Sequence, residues 1–353
     1  MNSSLRQPEK VYGLDFSRKE IAAAISQNKI LSLDLETSLV CNLRCVYCYA
    51  SAGKPRHGEL STPEIINVIN QAIAMGAKVI SVIGGGEPLA HKDISAIIKY
   101  IGTKPVKKNL FTNGTLITGE TAALLKNSGF AVIVKCNSRT PHIQDHLAGL
   151  KGSFEKIQKG MRHLFNAGYP SAKLPLGIET IICRQNIKEL PSLWQWARER
   201  RIMPYFETIT FQGRARNHHD LNVSSKELRV LFKTLLEIDE KKYNFTWHPH
   251  PPIAGLSCNR HFYNLVVTSN GYVRPCVGVN ISIGNVRHDA LKDIVSASDV
   301  LKSLRHLKGK IKGACRKCSY RDECYGCRGL AYHICGDYLA ADPICWRNPR
   351  RII

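Results

Sequence analysis

The chain has 353 residues, 44% of them hydrophobic and 22% charged, and a formal net charge of +22 from 50 basic and 28 acidic side chains. That balance describes a folded globular chain with room for two domains and excludes a disordered or fibrous one. No apolar run is long enough to span a bilayer, and the polar start from Met1 to Lys10 has no signal-peptide core. Thirteen cysteines without an export signal point to metal ligation in a reducing compartment, read here as the cytoplasm, rather than to a disulfide framework. The positive excess suits an anionic small molecule, an acidic peptide or nucleic acid. The lack of a Lys/Arg block with interleaved aromatics argues against the last.

Residues 1–29 read as a helix-tending lead-in, with Ile21 to Ile25 its short apolar stretch. Ile30 to Glu36 alternates apolar and polar residues and predicts a strand. Behind it stands Cys41-Asn42-Leu43-Arg44-Cys45-Val46-Tyr47-Cys48, three thiols spaced C-x3-C-x2-C. Three thiolates on one loop can hold three irons of a cubane cluster and leave the fourth to a ligand that is not protein. A structural zinc or a ferredoxin-type cluster takes four. A zinc site completed by a distant His is the alternative reading of the same residues. The motif, with an aromatic residue before its last cysteine, resembles that of the radical S-adenosylmethionine (SAM) enzymes. The resemblance implies a 4Fe–4S cluster with an open iron chelated by SAM, a flavodoxin- or ferredoxin-type reductant, and a 5′-deoxyadenosyl radical that abstracts hydrogen from a substrate. It also makes Tyr47 a candidate cofactor contact.

Ser61-Thr62-Pro63-Glu64 predicts a helix start, and that helix runs to about Met75. Lys78 to Ile83 is a buried-strand run leading into Gly84-Gly85-Gly86-Glu87-Pro88. Glycines there let the backbone approach a ligand, and a carboxylate after them can accept from an ammonium group. The segment resembles the family's GGEP loop, which implies that Gly85, Gly86 and Glu87 meet the methionine end of SAM. A helix is expected near Ile94 to Ile101, then a strand from Lys107 to Phe111 that ends in Thr112-Asn113-Gly114. Asn113 is either a cofactor contact, as the family's similar strand end implies, or a simple turn residue. Thr118 caps a helix to Ser128, and Phe130 to Cys136 is a strand ending in Asn137-Ser138. Ser138 is the candidate there for the cofactor's ribose or carboxylate, while Cys136 reads as core. A helix over Ser153 to Ala167 precedes a strand over Gly177 to Cys183, and Cys183 also reads as core. Arg184 follows, able to grip the SAM carboxylate in two-pronged fashion or simply to face solvent. Ile187 to Arg200 is a helix and Ile202 to Thr208 a sixth strand. Six alternations over about residues 30–210 argue for a parallel sheet with helices outside, with ligand sites at the strands' C-terminal ends. The family's partial (β/α)6 barrel agrees with that count.

Residues 211–255 form a bridge. Phe211 to Leu221 carries Arg214, Arg216, His218 and His219 and reads as a lid, a substrate contact or a basic linker. Ser224-Ser225-Lys226-Glu227 is a capping box opening a helix to about Lys241, and His248-Pro249-His250-Pro251-Pro252 is a stiff linker.

From residue 256 the chain is cysteine-rich. Leu265 to Ser269 and Tyr272 to Pro275 flank Asn270-Gly271, a hairpin signal that brings Cys258 towards Cys276. A mostly helical stretch from Asp289 to Leu307 precedes Cys315, Cys318, Cys324, Cys327, Cys335 and Cys345. Eight cysteines so close are metal ligands; a zinc ribbon over Cys315, Cys318, Cys324 and Cys327 would strand the other four. The arrangement resembles the SPASM domain, the auxiliary-cluster extension of radical SAM enzymes, although Cys324 and Cys327 stand one residue closer than the usual spacing. The resemblance implies two auxiliary clusters, the first on Cys258, Cys276 and Cys327 and the second on Cys315, Cys318, Cys324 and Cys345. Cys335 either completes the first or is spare. The activity it implies is oxidation of a peptide, cofactor or natural-product precursor through a carbon radical, with the auxiliary clusters accepting an electron. A tetrapyrrole or a sugar is the alternative substrate, and a non-catalytic zinc or nucleic-acid-binding protein is the alternative class.

Overall fold

Strands and helices alternate through the first two thirds of the chain, and the strands pair in the order in which they are made. The structure is a computed structural model and describes residues 11–348; the polar start read over Met1 to Lys10 lies outside them. The strands are β1 (Ser32–Leu35), β2 (Val79–Val82), β3 (Lys107–Thr112), β4 (Phe130–Lys135), β5 (Leu176–Ile182) and β6 (Met203–Thr208), each parallel to the next. The helices of this part are α1 (Arg18–Ser26), α2 (Thr62–Ala74), α3 (Ile94–Gly102), α4 (Gly119–Asn127), α5 (Pro141–Ala148), α6 (Ser153–Ala167) and α7 (Leu190–Glu199). The result is a partial barrel with its helices outside. Capping residues set the helix starts as the sequence predicts: Ser61 and Glu64 form a capping box on α2, and Thr118 accepts from the Thr121 backbone on α4. Helix α5 was not anticipated. It is a short element, opened by Pro141 and closed by Gly149 in the left-handed region.

Strand parity divides the sheet into two faces. Leu33 and Leu35, Ile80 and Val82, Leu110, Val132 and Val134, Ile178 and Phe206 join the large core beneath the helices. The alternate positions, among them Ile133, Met203 and Tyr205, form a separate cluster. This second set also contains Asp34, Lys135, Glu179 and Glu207, which line the barrel cavity.

After the bridge helix α8 (Ser225–Ile238) come β7 (Asn264–Val267), β8 (Tyr272–Arg274) and β9 (Gly284–Asn285). The expected hairpin at Asn270-Gly271 forms, but it does not stand apart. β7 pairs in parallel with β1, so one nine-stranded sheet runs β6-β5-β4-β3-β2-β1-β7-β8-β9. Buried side chains lock the junction: Ser32 donates to the Asn264 carbonyl at 2.7 Å, and Asn264 donates to Asp34 at 2.9 Å. The remaining helices are α9 (Leu291–Ala297), α10 (Asp299–Arg305), α11 (Leu307–Lys310) and α12 (Arg328–Cys335).

Asp239, at the end of α8, is fully buried and accepts from Trp194 at 2.8 Å, from Trp247 at 3.0 Å and from two Arg198 nitrogens at 3.0 and 2.8 Å. Removing its carboxylate strands a buried guanidinium and two indole N–H groups. Asp239→Ala therefore loses about 3–5 kcal/mol of stability in denaturant melts; a loss below about 1 kcal/mol contradicts this account.

Candidate active site

The cysteine loop after β1 is held by backbone from four directions. Cys41 N donates to Gly53 O at 3.1 Å, while Arg44 N and Val46 N donate to Ala148 O and Leu147 O at the end of α5, both at 3.1 Å. The glycine loop after β2 lies against the residues just before the motif: Gly86 N donates to Ser38 O and Glu87 N to Val40 O, each at 2.8 Å. A Cβ on Gly86 would sit 2.1 Å from Val40 O. This glycine is thus required by backbone packing against the cysteine loop, a partner that the sequence does not name. On the fourth side Arg214 Nε donates to Cys45 O at 2.9 Å and Nη1 to Ala52 O at 2.8 Å. The 211–221 segment, read as a lid, a substrate contact or a linker, clamps this loop through Arg214.

Cys41, Cys45 and Cys48 line one cavity together with Tyr47, Gly85, Gly86, Glu87 and Asn113. Both Glu87 oxygens are engaged, with Thr112 Oγ1 at 2.6 Å, Asn113 N at 2.7 Å and Leu89 N at 3.1 Å. Burial pushes its carboxyl up to about 7, and those donors hold it from rising further. Each carboxylate oxygen has two lone pairs, so capacity remains for a further donor. Tyr47 is buried, and its hydroxyl accepts from Asn137 Nδ2 at 2.6 Å.

Two expected contacts lie elsewhere. Ser138 is fully buried with its hydroxyl donating to Thr140 O, and it does not line the cavity; its neighbour Asn137 is the residue that reaches Tyr47. Arg184 is half-exposed and grips Glu227, the capping-box acid of α8, in two-pronged fashion. Its charge serves the outer surface. Arg184→Ala should change stability by less than about 1 kcal/mol and leave SAM cleavage, followed as 5′-deoxyadenosine, within about twofold of wild type.

Residues not anticipated from the sequence occupy the inner face of the barrel. Lys135 pairs with Glu179 at 2.7 Å, Tyr205 donates to Glu207 at 3.2 Å, and Arg260 donates to the Tyr205 oxygen at 3.0 Å. Burial opposes the charge of Glu179, yet Lys135 holds its carboxyl below the ordinary value. Burial and the neighbouring Glu179 push Glu207 up to about 7. Inward parity of β4, β5 and β6 was the signal that could have found all of these except Arg260, which lies in the turn Arg260–Phe262.

The second cysteine field divides into two groups. Cys258, Cys276 and Cys327 line the same cavity as the first three thiols. Burial raises the Cys327 thiol, and Asp342, which accepts from the Cys327 backbone at 2.7 Å, then Cys258 and Cys276 add to the rise. Around Asp342 lie the others: burial pushes Cys324 and Cys345 up to about 12, with Asp342 and Cys315 adding to both. Cys318 also acts on Cys315 and Cys345. Cys335 joins neither group; it is exposed at the end of α12, with Asp342, Asp337 and Arg328 as its charged neighbours.

Backbone N–H groups point at the sulfurs of both fields. Leu43 N reaches Cys41, Ala52 N Cys48, Val279 N Cys276, Leu330 N Cys327, Gly326 N Cys324 and Asp342 N Cys315, all within 3.3–3.5 Å. Such donors stabilise thiolates and tune iron–sulfur centres. Among the described residues no three His, Cys, Asp or Glu side chains close to the spacing of a single metal ion. An all-sulfur donor set spread in this way fits multi-iron clusters, in which each cysteine binds a different iron.

The radical SAM superfamily model matches residues 35–191, and the model of SPASM, an iron–sulfur cluster-binding domain, matches residues 258–319. An AdoMet-dependent heme synthase of Methanosarcina barkeri is 28% identical over 341 residues, covering 89% of this chain and 95% of that protein. A PqqA peptide cyclase of Rhizobium meliloti is 28% identical over 330 residues, covering 88% and 85%. Streptococcus suis SuiB bound to S-adenosylmethionine shares the fold with a TM-score of 0.71 over 95% of this chain and 81% of that one, at 17% identity. The chain therefore belongs to the radical SAM superfamily and is an enzyme with a SPASM domain, whose cofactors are a 4Fe–4S cluster, SAM and auxiliary iron–sulfur clusters.

Proposed function

We propose that this enzyme oxidises a carboxylate-bearing substrate at carbon. The observation that carries the reading is a single cavity lined both by Cys41, Cys45 and Cys48 and by Cys258, Cys276 and Cys327, with Lys135, Glu179, Glu207, Arg260 and Arg328 in its walls. On this reading the first three thiols hold the SAM-chelating cluster. Gly85, Gly86 and Glu87 hold the methionine end of SAM, bordered by Tyr47 and Asn113. Cys258, Cys276 and Cys327 hold one auxiliary cluster, and Cys315, Cys318, Cys324 and Cys345 the other; Cys335, Ser138 and Arg184 take no part. When bound, the SAM-chelating cluster supplies a 5′-deoxyadenosyl radical that takes a hydrogen atom, and the auxiliary clusters supply an electron sink. Arg328 is buried and Arg260 half-buried, and each carries a buried, unpartnered guanidinium nitrogen, which suits them to receive a substrate carboxylate. Glu207 accepts the proton that the oxidised carbon releases.

The substrate is a tetrapyrrole acid, a class favoured by the heme-synthase relatives, or an acidic residue of a peptide, favoured by the PqqA peptide cyclase. The work takes place in a reducing compartment, the cytoplasm, with a flavodoxin- or ferredoxin-type donor. Anaerobically reconstituted protein given SAM and dithionite should be brown and release 5′-deoxyadenosine; a colourless zinc protein that leaves SAM intact overturns the reading. Incubation with an iron-coproporphyrin and, separately, with short acidic peptides should then reveal one product by its mass loss. With that substrate, turnover should rise with pH through about 7, because only the ionised Glu207 can accept a proton. Burial and Glu179 raise that value and Lys135 and Arg260 lower it, while Tyr205 faces the same carboxyl as a hydrogen-bond donor. In Glu207→Gln the rise should be absent.

A further inference from the structure

The auxiliary thiols on the cavity wall are three, one short of a closed cluster. We propose that His261 is the fourth protein ligand of the cluster held by Cys258, Cys276 and Cys327; the inference rests on that cluster assignment. His261 lies three residues after Cys258, in a short 3-10 turn, Arg260–Phe262, and lines the same cavity as the three thiols. It is 3% exposed, and its Nε2 is buried without a partner. The ring is fixed by Phe262 at 4.1 Å and Tyr325 at 5.8 Å between centroids. A neutral imidazole nitrogen left bare in the interior is out of place unless something there accepts its lone pair.

The other donors near this corner are engaged or unfit. Arg260 and Arg328 also carry unpartnered nitrogens, but a guanidinium has no lone pair to give. Glu179 is paired with Lys135 and Glu207 with Tyr205. Cys315, Cys324 and Cys345 gather around Asp342, and Cys335 is exposed at the end of α12. Histidine in place of cysteine removes one negative charge from a cluster and raises its potential. That favours the acceptance of an electron from the substrate side of the cavity.

The test uses the full chain carrying Cys41→Ala, Cys45→Ala and Cys48→Ala, labelled with 15N-histidine, reconstituted anaerobically and reduced with dithionite. Pulsed EPR should show the nitrogen coupling of a directly bound histidine. The coupling should vanish in His261→Ala and in His261→Cys. The cysteine variant should keep its iron and titrate at a lower midpoint potential, which separates loss of a ligand from loss of fold. Auxiliary iron present without nitrogen coupling, or coupling that survives in His261→Ala, overturns the ligand assignment alone. An absence of auxiliary iron in the triple variant overturns the cluster assignment as well.

Discussion

Replacing Cys41, Cys45 and Cys48 together by alanine abolishes SAM cleavage while the chain stays folded and keeps its auxiliary iron. The rate of 5′-deoxyadenosine formation under dithionite should fall at least about a thousandfold, equivalent to about 4 kcal/mol of barrier. The expectation of a folded variant comes from the way the loop is held. Its anchors are backbone bonds to Gly53, Ala148 and Leu147 and the Arg214 clamp on Cys45 O and Ala52 O, none of which uses a thiol. The two other thiol groups, one on a separate segment of the cavity lining (Cys258, Cys276 and Cys327) and one around Asp342, belong to residues the substitutions leave untouched, so their iron should remain measurable by colorimetric assay. If the variant still forms 5′-deoxyadenosine at more than a few per cent of the wild-type rate, these sulfurs do not hold the reactive cluster.

Gly86→Ala is the second large effect, and it leaves every candidate metal-ligating thiol in place. The new Cβ would lie 2.1 Å from Val40 O and 2.7 Å from Leu39 C, both backbone atoms that have no rotamer to escape into. Relieving the clash breaks the Gly86–Ser38 and Glu87–Val40 hydrogen bonds and swings Glu87 away from Thr112 and Asn113. Misplacing a positioning loop by about 1 Å costs on the order of a hundredfold in rate, and that loss is expected in 5′-deoxyadenosine formation. Gly309→Ala is the control, since a Cβ there meets nothing within 4 Å and should leave the rate unchanged. An activity for Gly86→Ala within about twofold of wild type would refute the packing account.

Much of the chemistry was legible in local sequence. Cysteine spacing is a short-range property, and the three thiols of Cys41 to Cys48 reach one cavity because eight residues can hardly separate them. The six parallel strands were equally readable, since period-two runs bounded by caps report on their own backbone. Ser138 and Arg184 misled because a strand end names a neighbourhood and not a direction. Asn137 points to Tyr47 while Ser138 turns back to Thr140, and Arg184 finds Glu227 across the surface. Helix α5 went unseen because eight residues give too few turns for a helical period to show.

The sequence by itself determined the order of the elements, the two cysteine fields and the cluster chemistry they imply, because each depends on residues only a few positions apart. Tertiary structure alone decided that β7 would extend the barrel sheet beside β1. It also drew His261 and the Cys258 group into the cavity of the first three thiols. Those outcomes join segments far apart in the chain, such as Ser32 and Asn264 at a separation of 232 residues, and no local pattern encodes which partner a strand edge or a buried side chain will meet.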